Sequence, residues 1–247
     1  MVKKRVKLSV AYDGTNYCGS QVQPNGRTIE GELNRTLSEL LQEEITVIGA
    51  SRTDAGVHAL DFIVVFDTTA RIPAEKISYA LNQRLSKDIR IQHSEEVEAD
   101  FHPRHCDSKK TYEYRILNRE FPLPTKRLYT CFTYVPLDVT RMQQAAQYLI
   151  GTHDFKSFCS VQAVAETTVR LIYDVSVVRQ DEEIIIRVTG AGFLYNMVRI
   201  IAGTLMEVGK GSYPPERVLD ILEACDRTKA GPTAPACGLT LMKYEIL

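Results

Sequence analysis

Apolar residues alternate with polar ones over Val6, Leu8 and Val10 and reach Tyr12 in the same phase, with Arg5, Lys7 and Ser9 between them. That period of two predicts a β-strand with one buried face. After a polar loop the period changes. From Thr28, a residue type suited to an N-cap, Ile29, Leu33, Leu37, Leu40 and Leu41 fall on one face of a 3.6-residue repeat and predict an amphipathic helix. β-Branched and aromatic residues at Ile45 to Ile48 and Phe62 to Phe66 predict strands over 45–50 and 60–68. Pro73, in a first helical turn, introduces Ile77, Ala80, Leu81 and Leu85, and 89–97 returns to an extended pattern. The order β-α-β-β-α-β is the split βαβ, or ferredoxin-like, pattern, in which an antiparallel sheet carries helices on one face.

The second half repeats the series. Tyr112, Tyr114 and Ile116 alternate, 140–149 has a helical pattern, and strands over 168–179 and 183–189 meet at the acidic turn Asp181-Glu182-Glu183. Helices over 194–208 and 214–224 and a strand over 239–245 follow, with a hairpin-like insertion at 118–136. The expected architecture is α+β: two ferredoxin-like halves, 1–105 and 106–247, sharing a mainly antiparallel sheet, related by a pseudo-twofold and enclosing a central cleft. Only the Pro-containing stretch 100–108 reads as a junction, and no Ser/Gly-rich linker separates the halves.

Composition narrows the class. The 247 residues are 44% hydrophobic, enough for a large core, and 30 basic against 31 acidic residues leave a formal net charge of -1. Global charge therefore does not advertise nucleic-acid binding, and an RNA surface would need segregated clusters such as Lys3-Lys4-Arg5, Arg104-His105, Lys109-Lys110 or Lys126-Arg127. Six scattered cysteines lack a C-x-x-C pair or zinc-like spacing and read as reduced thiols of a cytoplasmic protein. Met1-Val2-Lys3-Lys4-Arg5 leads into the first strand with no apolar signal region, and no apolar run is long enough to span a bilayer, so a soluble protein with no membrane partner is expected.

The chemistry concentrates at Ser51-Arg52-Thr53-Asp54-Ala55-Gly56-Val57-His58-Ala59, where a carboxylate and a guanidinium stand on a tight connection between two strand patterns. Rigid elements flanking a loop are a common way to hold catalytic groups. Taken alone, such a pair also fits a solvated turn. His58, His102, His105 and His153 have no ligand spacing, so no metal is expected. There is no Gly-rich phosphate loop and no G-x-S-x-G elbow.

The nonapeptide closely resembles the catalytic-loop motif G-R-T-D-A-G-V-H-A of the tRNA pseudouridine synthase A family, with Ser51 in place of the usual Gly. The resemblance extends across nearly the whole chain. Phe193-Leu194-Tyr195-Asn196-Met197-Val198-Arg199 is similar to the motif F-L-Y-N-M-V-R, and Lys110-Thr111-Tyr112-Glu113-Tyr114 to K-x-Y-x-Y. Tyr12-Asp13-Gly14 through Gly19-Ser20-Gln21 resembles the opening Y-D-G-x-x-Y-x-G-W-Q, with Ser20 where Trp is usual, and the chain has no Trp at all. Asp100-Phe101-His102-Pro103-Arg104 resembles D-F-H-x-R, and 231–239 resembles P-x-x-A-P-A-x-G-L.

The resemblance implies a cofactor-independent isomerase that converts uridine to pseudouridine at positions 38, 39 and 40 of the tRNA anticodon stem-loop, acting as a homodimer. It implies Asp54 as the catalytic carboxylate, attacking C1' or removing a proton from C2'; the residues leave both routes open. Arg199 would be the cation that keeps Asp54 ionised, and Arg52 would fill the space of an extruded base or hold a phosphate. Tyr112 would stack on the uracil and assist proton movement, Phe193 would contact the substrate, and Arg104, Lys109 and Lys110 would meet RNA backbone. Two rivals belong to other classes. A catalytically inactive RNA-binding protein of the same fold would lack Arg52, Asp54, Tyr112 or Arg199, and all four are present. An aspartic peptidase would need a second D-[ST]-G, and none exists.

Overall fold

The computed structural model describes residues 3–160 and 166–247, so Met1 and Val2 of the expected leaderless start lie outside the described residues. Two compact units emerge: residues 1–107 with Leu241–Leu247, and Ser108–Thr240. Both mix helices with mainly antiparallel strands.

The first unit contains β1 (Lys4–Tyr12), α1 (Ile29–Leu41), β2 (Ile48–Gly49), β3 (His58–Thr68), α2 (Ala74–Asn82) and β4 (Ile89–Val97), and receives the end of β10 (Leu239–Ile246). Its strands are ordered β4-β1-β3-β10, with β2 paired to β3. The alternation read in the sequence becomes the burial of Val6, Leu8, Val10 and Tyr12. β3, flanked on both sides, buries Phe62 through Phe66 without alternation, as an interior strand covered on both faces does. Thr28 caps α1 by accepting the Gly31 amide, and Ile29, Leu33, Leu37 and Leu41 are buried. Each such side chain stabilises by about 1.5–3 kcal/mol relative to exposure.

One strand expectation shrinks. Of the predicted 45–50 strand only Ile48–Gly49 pairs with β3. Upstream, α1 side chains take the backbone donors: Ser38 Oγ accepts from the Ile45 amide at 2.9 Å and Asn34 Oδ1 from the Val47 amide at 2.8 Å. Side-chain acceptors have here displaced a sheet ladder.

The second unit contains β5 (Ser108–Asn118), β6 (Cys131–Thr133), α3 (Val139–Gln147), β7 (Gly151–Asp154), β8 (Val169–Gln180), β9 (Glu183–Gly190), α4 (Met197–Gly209) and α5 (Arg217–Ala224). Its strands are ordered β5-β9-β8-β7, and β6 lies on β5. The 118–136 insertion is not a hairpin. β6 runs parallel to β5, pairing Cys131 with Ile116 and Thr133 with Asn118, which requires the crossing segment that a tight turn could not provide. Asn118 fastens it, donating through Nδ2 to the Val135 carbonyl at 2.8 Å and accepting the Leu137 amide at 3.3 Å.

Tyr114 is fully buried, and its hydroxyl donates to the Pro235 carbonyl at 2.9 Å. Burial holds this phenol far above its ordinary pKa, as an un-ionised donor. Tyr114→Phe is expected to lower unfolding free energy by ~1 kcal/mol, seen as a lower urea midpoint at constant m-value. An unchanged midpoint would show that the 232–239 loop is held without this bond.

Candidate active site

The Asp54 loop leaves β2 at Gly49 and enters β3 at His58. Thr53 is its fixed point. The Thr53 amide donates to Ser20 Oγ at 2.9 Å, its carbonyl accepts the Ser20 amide at 3.1 Å, and its hydroxyl lies 2.7 Å from the Tyr12 hydroxyl. Asp54 follows at once and is half-buried, while Arg52 on the other side of Thr53 is exposed. A turn closes the loop: the Val57 amide donates to the Asp54 carbonyl at 3.2 Å and the Gly56 amide to the Tyr17 carbonyl at 3.2 Å. Gly56 stands at φ +79°, the positive value that glycine adopts most readily in the third position of such a turn.

The 12–20 segment is the bed of this loop. A Cβ on Gly19 would stand 2.7 Å from the Thr53 carbonyl oxygen, and Gly19 itself has φ +97°, so both approach and conformation require glycine. His58 is buried, with Nδ1 accepting the Gly14 amide at 3.1 Å and lying 3.2 Å from Asp13 Oδ1. It is a loop-locking histidine. The others also make local contacts: His102 stacks on His105 at 3.9 Å, and His153 Nε2 lies 2.9 Å from the Ile150 carbonyl. Among the described residues no group of three or more His, Cys, Asp or Glu is placed to hold a metal.

Arg104 sits in the same unit. It is exposed, yet its Nε donates to the Gly49 carbonyl at 2.6 Å, which ties the 100–104 segment to the start of the Asp54 loop. Sequence reading missed Glu30, a buried carboxyl in the first turn of α1. Burial pushes its pKa up against the opposing charges of Arg104 and Arg52.

The second unit gathers the other expected residues. Tyr112, on β5 opposite Val188 of β9, is buried and meets Phe193 edge-to-face at a centroid distance of 5.1 Å and an angle of 83°. That geometry fixes the plane of the Tyr112 ring. Lys109 lies with Nζ 5.8 Å from the Tyr173 ring centroid, and Lys110 is half-buried opposite Gly190.

Arg199 occupies the first turn of α4, where a cation opposes the helix dipole at a cost of about 0.3–1 kcal/mol. Two of its nitrogens have defined acceptors. Nε donates to the Ala234 carbonyl at 2.8 Å and Nη1 to Asn196 Oδ1 at 2.7 Å, while the Ala234 amide returns a bond to the Arg199 carbonyl at 3.1 Å. Asn196, at φ +60°, also donates to Ser160 Oγ at 2.8 Å. Asn196 and Ala234 were not read as supporting groups, although both stand inside the motifs that carry the resemblance. The arrangement holds a rigid, oriented guanidinium rather than one reaching loosely into solvent.

Comparison with known proteins gives these motifs a context. The family model described as tRNA pseudouridine synthase matches residues 8–105 and 145–245. The chain is 47% identical over 240 residues to a tRNA pseudouridine synthase A of Thermoanaerobacter sp. (strain X514), covering 97% of this chain and 98% of that protein. It is 48% identical over 238 residues to one of Brevibacillus brevis, covering 96% and 98%. A tRNA pseudouridine synthase A 2 of Clostridium perfringens is 43% identical over 240 residues, covering 97% and 98%.

Proposed function

The chain belongs to the tRNA pseudouridine synthase family, and from that premise we propose that it isomerises uridines 38, 39 and 40 of the tRNA anticodon stem-loop through Asp54, without a cofactor. It is a tRNA pseudouridine synthase, an isomerase. The reaction breaks the N1–C1' bond, turns the base and joins C5 to C1'; C5 gives up its proton, N1 gains one, and no electrons enter or leave. A carboxylate suffices to start it, as a nucleophile at C1' or as a base at C2'.

The observation that carries the residue assignment is the Asp54 loop itself. Its backbone is tied at Thr53, Gly56 and Val57, Asp54 is half-buried, and Arg52, two residues earlier, is exposed. A loop fixed through its backbone holds its side chains in a defined place. In this reading Arg52 holds the place of the extruded base or a phosphate, and Tyr112 presents an aromatic face to uracil with Phe193 at its edge. Arg199 supplies an oriented cation, and Arg104, Lys109 and Lys110 contact RNA phosphates.

A homodimer in the cytoplasm completes the proposal. With 30 basic and 31 acidic residues, one copy carries no excess positive charge, and two-fold symmetry would join local basic clusters into one groove for tRNA. No helix among the described residues is long and apolar enough to cross a membrane. The test is tritium release from tRNA labelled at uracil C5, followed by mapping of the modified positions. Release with pseudouridine at 38, 39 and 40 is expected. Modification elsewhere in the tRNA would overturn the position assignment, and binding without release would favour an inactive RNA-binding protein.

A further inference from the structure

Ser20 departs from the family's usual Trp, yet it is fully buried at 0% exposure and is tied through both its amide and its side chain to the residue before Asp54. An indole could not replace it, because its ring nitrogen donates and offers no oxygen to accept an amide. Ser20 does three things at once. Its Oγ accepts the Thr53 amide at 2.9 Å, its own amide donates to the Thr53 carbonyl at 3.1 Å, and its carbonyl accepts the Glu30 amide at 2.9 Å in the first turn of α1. The Ile29 amide adds a bond to the Gly19 carbonyl at 3.3 Å. A helix packed by four buried aliphatic residues is thereby linked through one serine to the residue before Asp54.

We propose that Ser20 is a positioning residue that sets the location of Asp54 by clamping the Thr53 peptide to the start of α1. Tyr12 supplies the other hold on Thr53, hydroxyl to hydroxyl at 2.7 Å, from a strand whose ring packs edge-to-face on Phe62 at 5.7 Å. Thr53 is therefore gripped through backbone and side chain by two rigid elements. Bond-making at a sugar carbon depends steeply on where the attacking or proton-accepting oxygen stands, so a displacement of a fraction of an ångström appears in the chemical step and not in tRNA affinity. This inference rests on the assignment of Asp54 as the catalytic carboxylate.

The experiment compares wild type, Asp54→Asn, Ser20→Ala, Ser20→Thr, Ser20→Trp and Tyr12→Phe by tritium release at saturating and limiting tRNA, each checked by circular dichroism to be folded at the assay temperature. Ser20→Ala is expected to lose about tenfold or more in kcat with KM and tRNA Kd unchanged within about twofold. Ser20→Thr, which keeps the hydroxyl, should recover most of that loss, and Ser20→Trp should not, although it restores the family residue. Tyr12→Phe removes only a surface of one oxygen and should lose kcat in the same direction, which keeps the test decisive if Ser20→Ala fails to fold. Wild-type kcat in Ser20→Ala and Tyr12→Phe, a loss confined to KM, or full activity in Ser20→Trp would overturn the positioning role. Silence of the wild type, or full release by Asp54→Asn, would instead overturn the parent assignment.

Discussion

Asp54→Asn is expected to reduce tritium release by ~10⁴-fold or more, because it removes the one charged oxygen pair that either route requires. The substitution keeps the shape of the side chain. The bonds that hold Thr53 to Ser20 and Tyr12, the Gly56 amide to the Tyr17 carbonyl and the Val57 amide to the Asp54 backbone carbonyl use other atoms than the carboxylate and survive the substitution. The variant should therefore fold as wild type and bind tRNA with similar affinity, since phosphate contacts dominate such binding and the loop's guanidinium at Arg52 is untouched. Filter binding beside the release assay separates the two properties. Retained turnover at a tenth of wild type would remove Asp54 from the chemistry, whereas lost binding would mean that the carboxylate helps to shape the RNA site.

Local periodicity made much of the fold legible. The alternation of β1, the 3.6-residue repeat of α1 and the limits of β4 at Ile89–Val97 are all written in short windows. What escaped depends on partners distant along the chain. Ile45 and Val47 have the side chains of a strand, yet Ser38 and Asn34, 7 and 13 residues earlier, take their amides first. Cys131 to Thr133 was expected in a hairpin, and its parallel pairing to β5 rests on Asn118, which reaches Thr133 and Val135 across 15 and 17 residues. β7 at Gly151–Asp154 is too short and polar to announce itself and owes its strand geometry to pairing with β8.

The same division runs through the site. Motifs marked Arg52, Asp54, Tyr112, Phe193 and Arg199 as residue types, because chemistry constrains their identity. They did not mark the groups that orient those side chains. Ser20 looked like the loss of an aromatic contact, and only its 2.9 Å approach to a backbone amide 33 residues away shows what the hydroxyl does. Glu30 looked like one more acidic residue in a first helical turn, where such residues are ordinary, and its burial beside two arginines follows from tertiary packing alone.

Arg199→Lys should be as informative as Asp54→Asn, because it keeps the charge and removes the fork. The guanidinium bonds the Ala234 carbonyl through Nε and Asn196 Oδ1 through Nη1, two acceptors separated by 35 and 3 positions along the chain. A lysine ammonium is a compact point charge on a flexible stem and cannot meet both acceptors while presenting a planar face elsewhere. Losing one charge-assisted bond of this kind costs about 1.5–3 kcal/mol, and for a chain of this size each 1 kcal/mol shifts Tm by about 2–4 °C. The melting temperature should therefore fall by several degrees, with the 232–239 loop loosened first. If orientation matters to catalysis, kcat should fall by ~10²-fold at a temperature where the variant is fully folded, with tRNA Kd nearly constant. A variant with lowered Tm and wild-type kcat would assign Arg199 to holding the loop, and a variant unchanged in both would show that charge alone, without the fork, is what position 199 must provide.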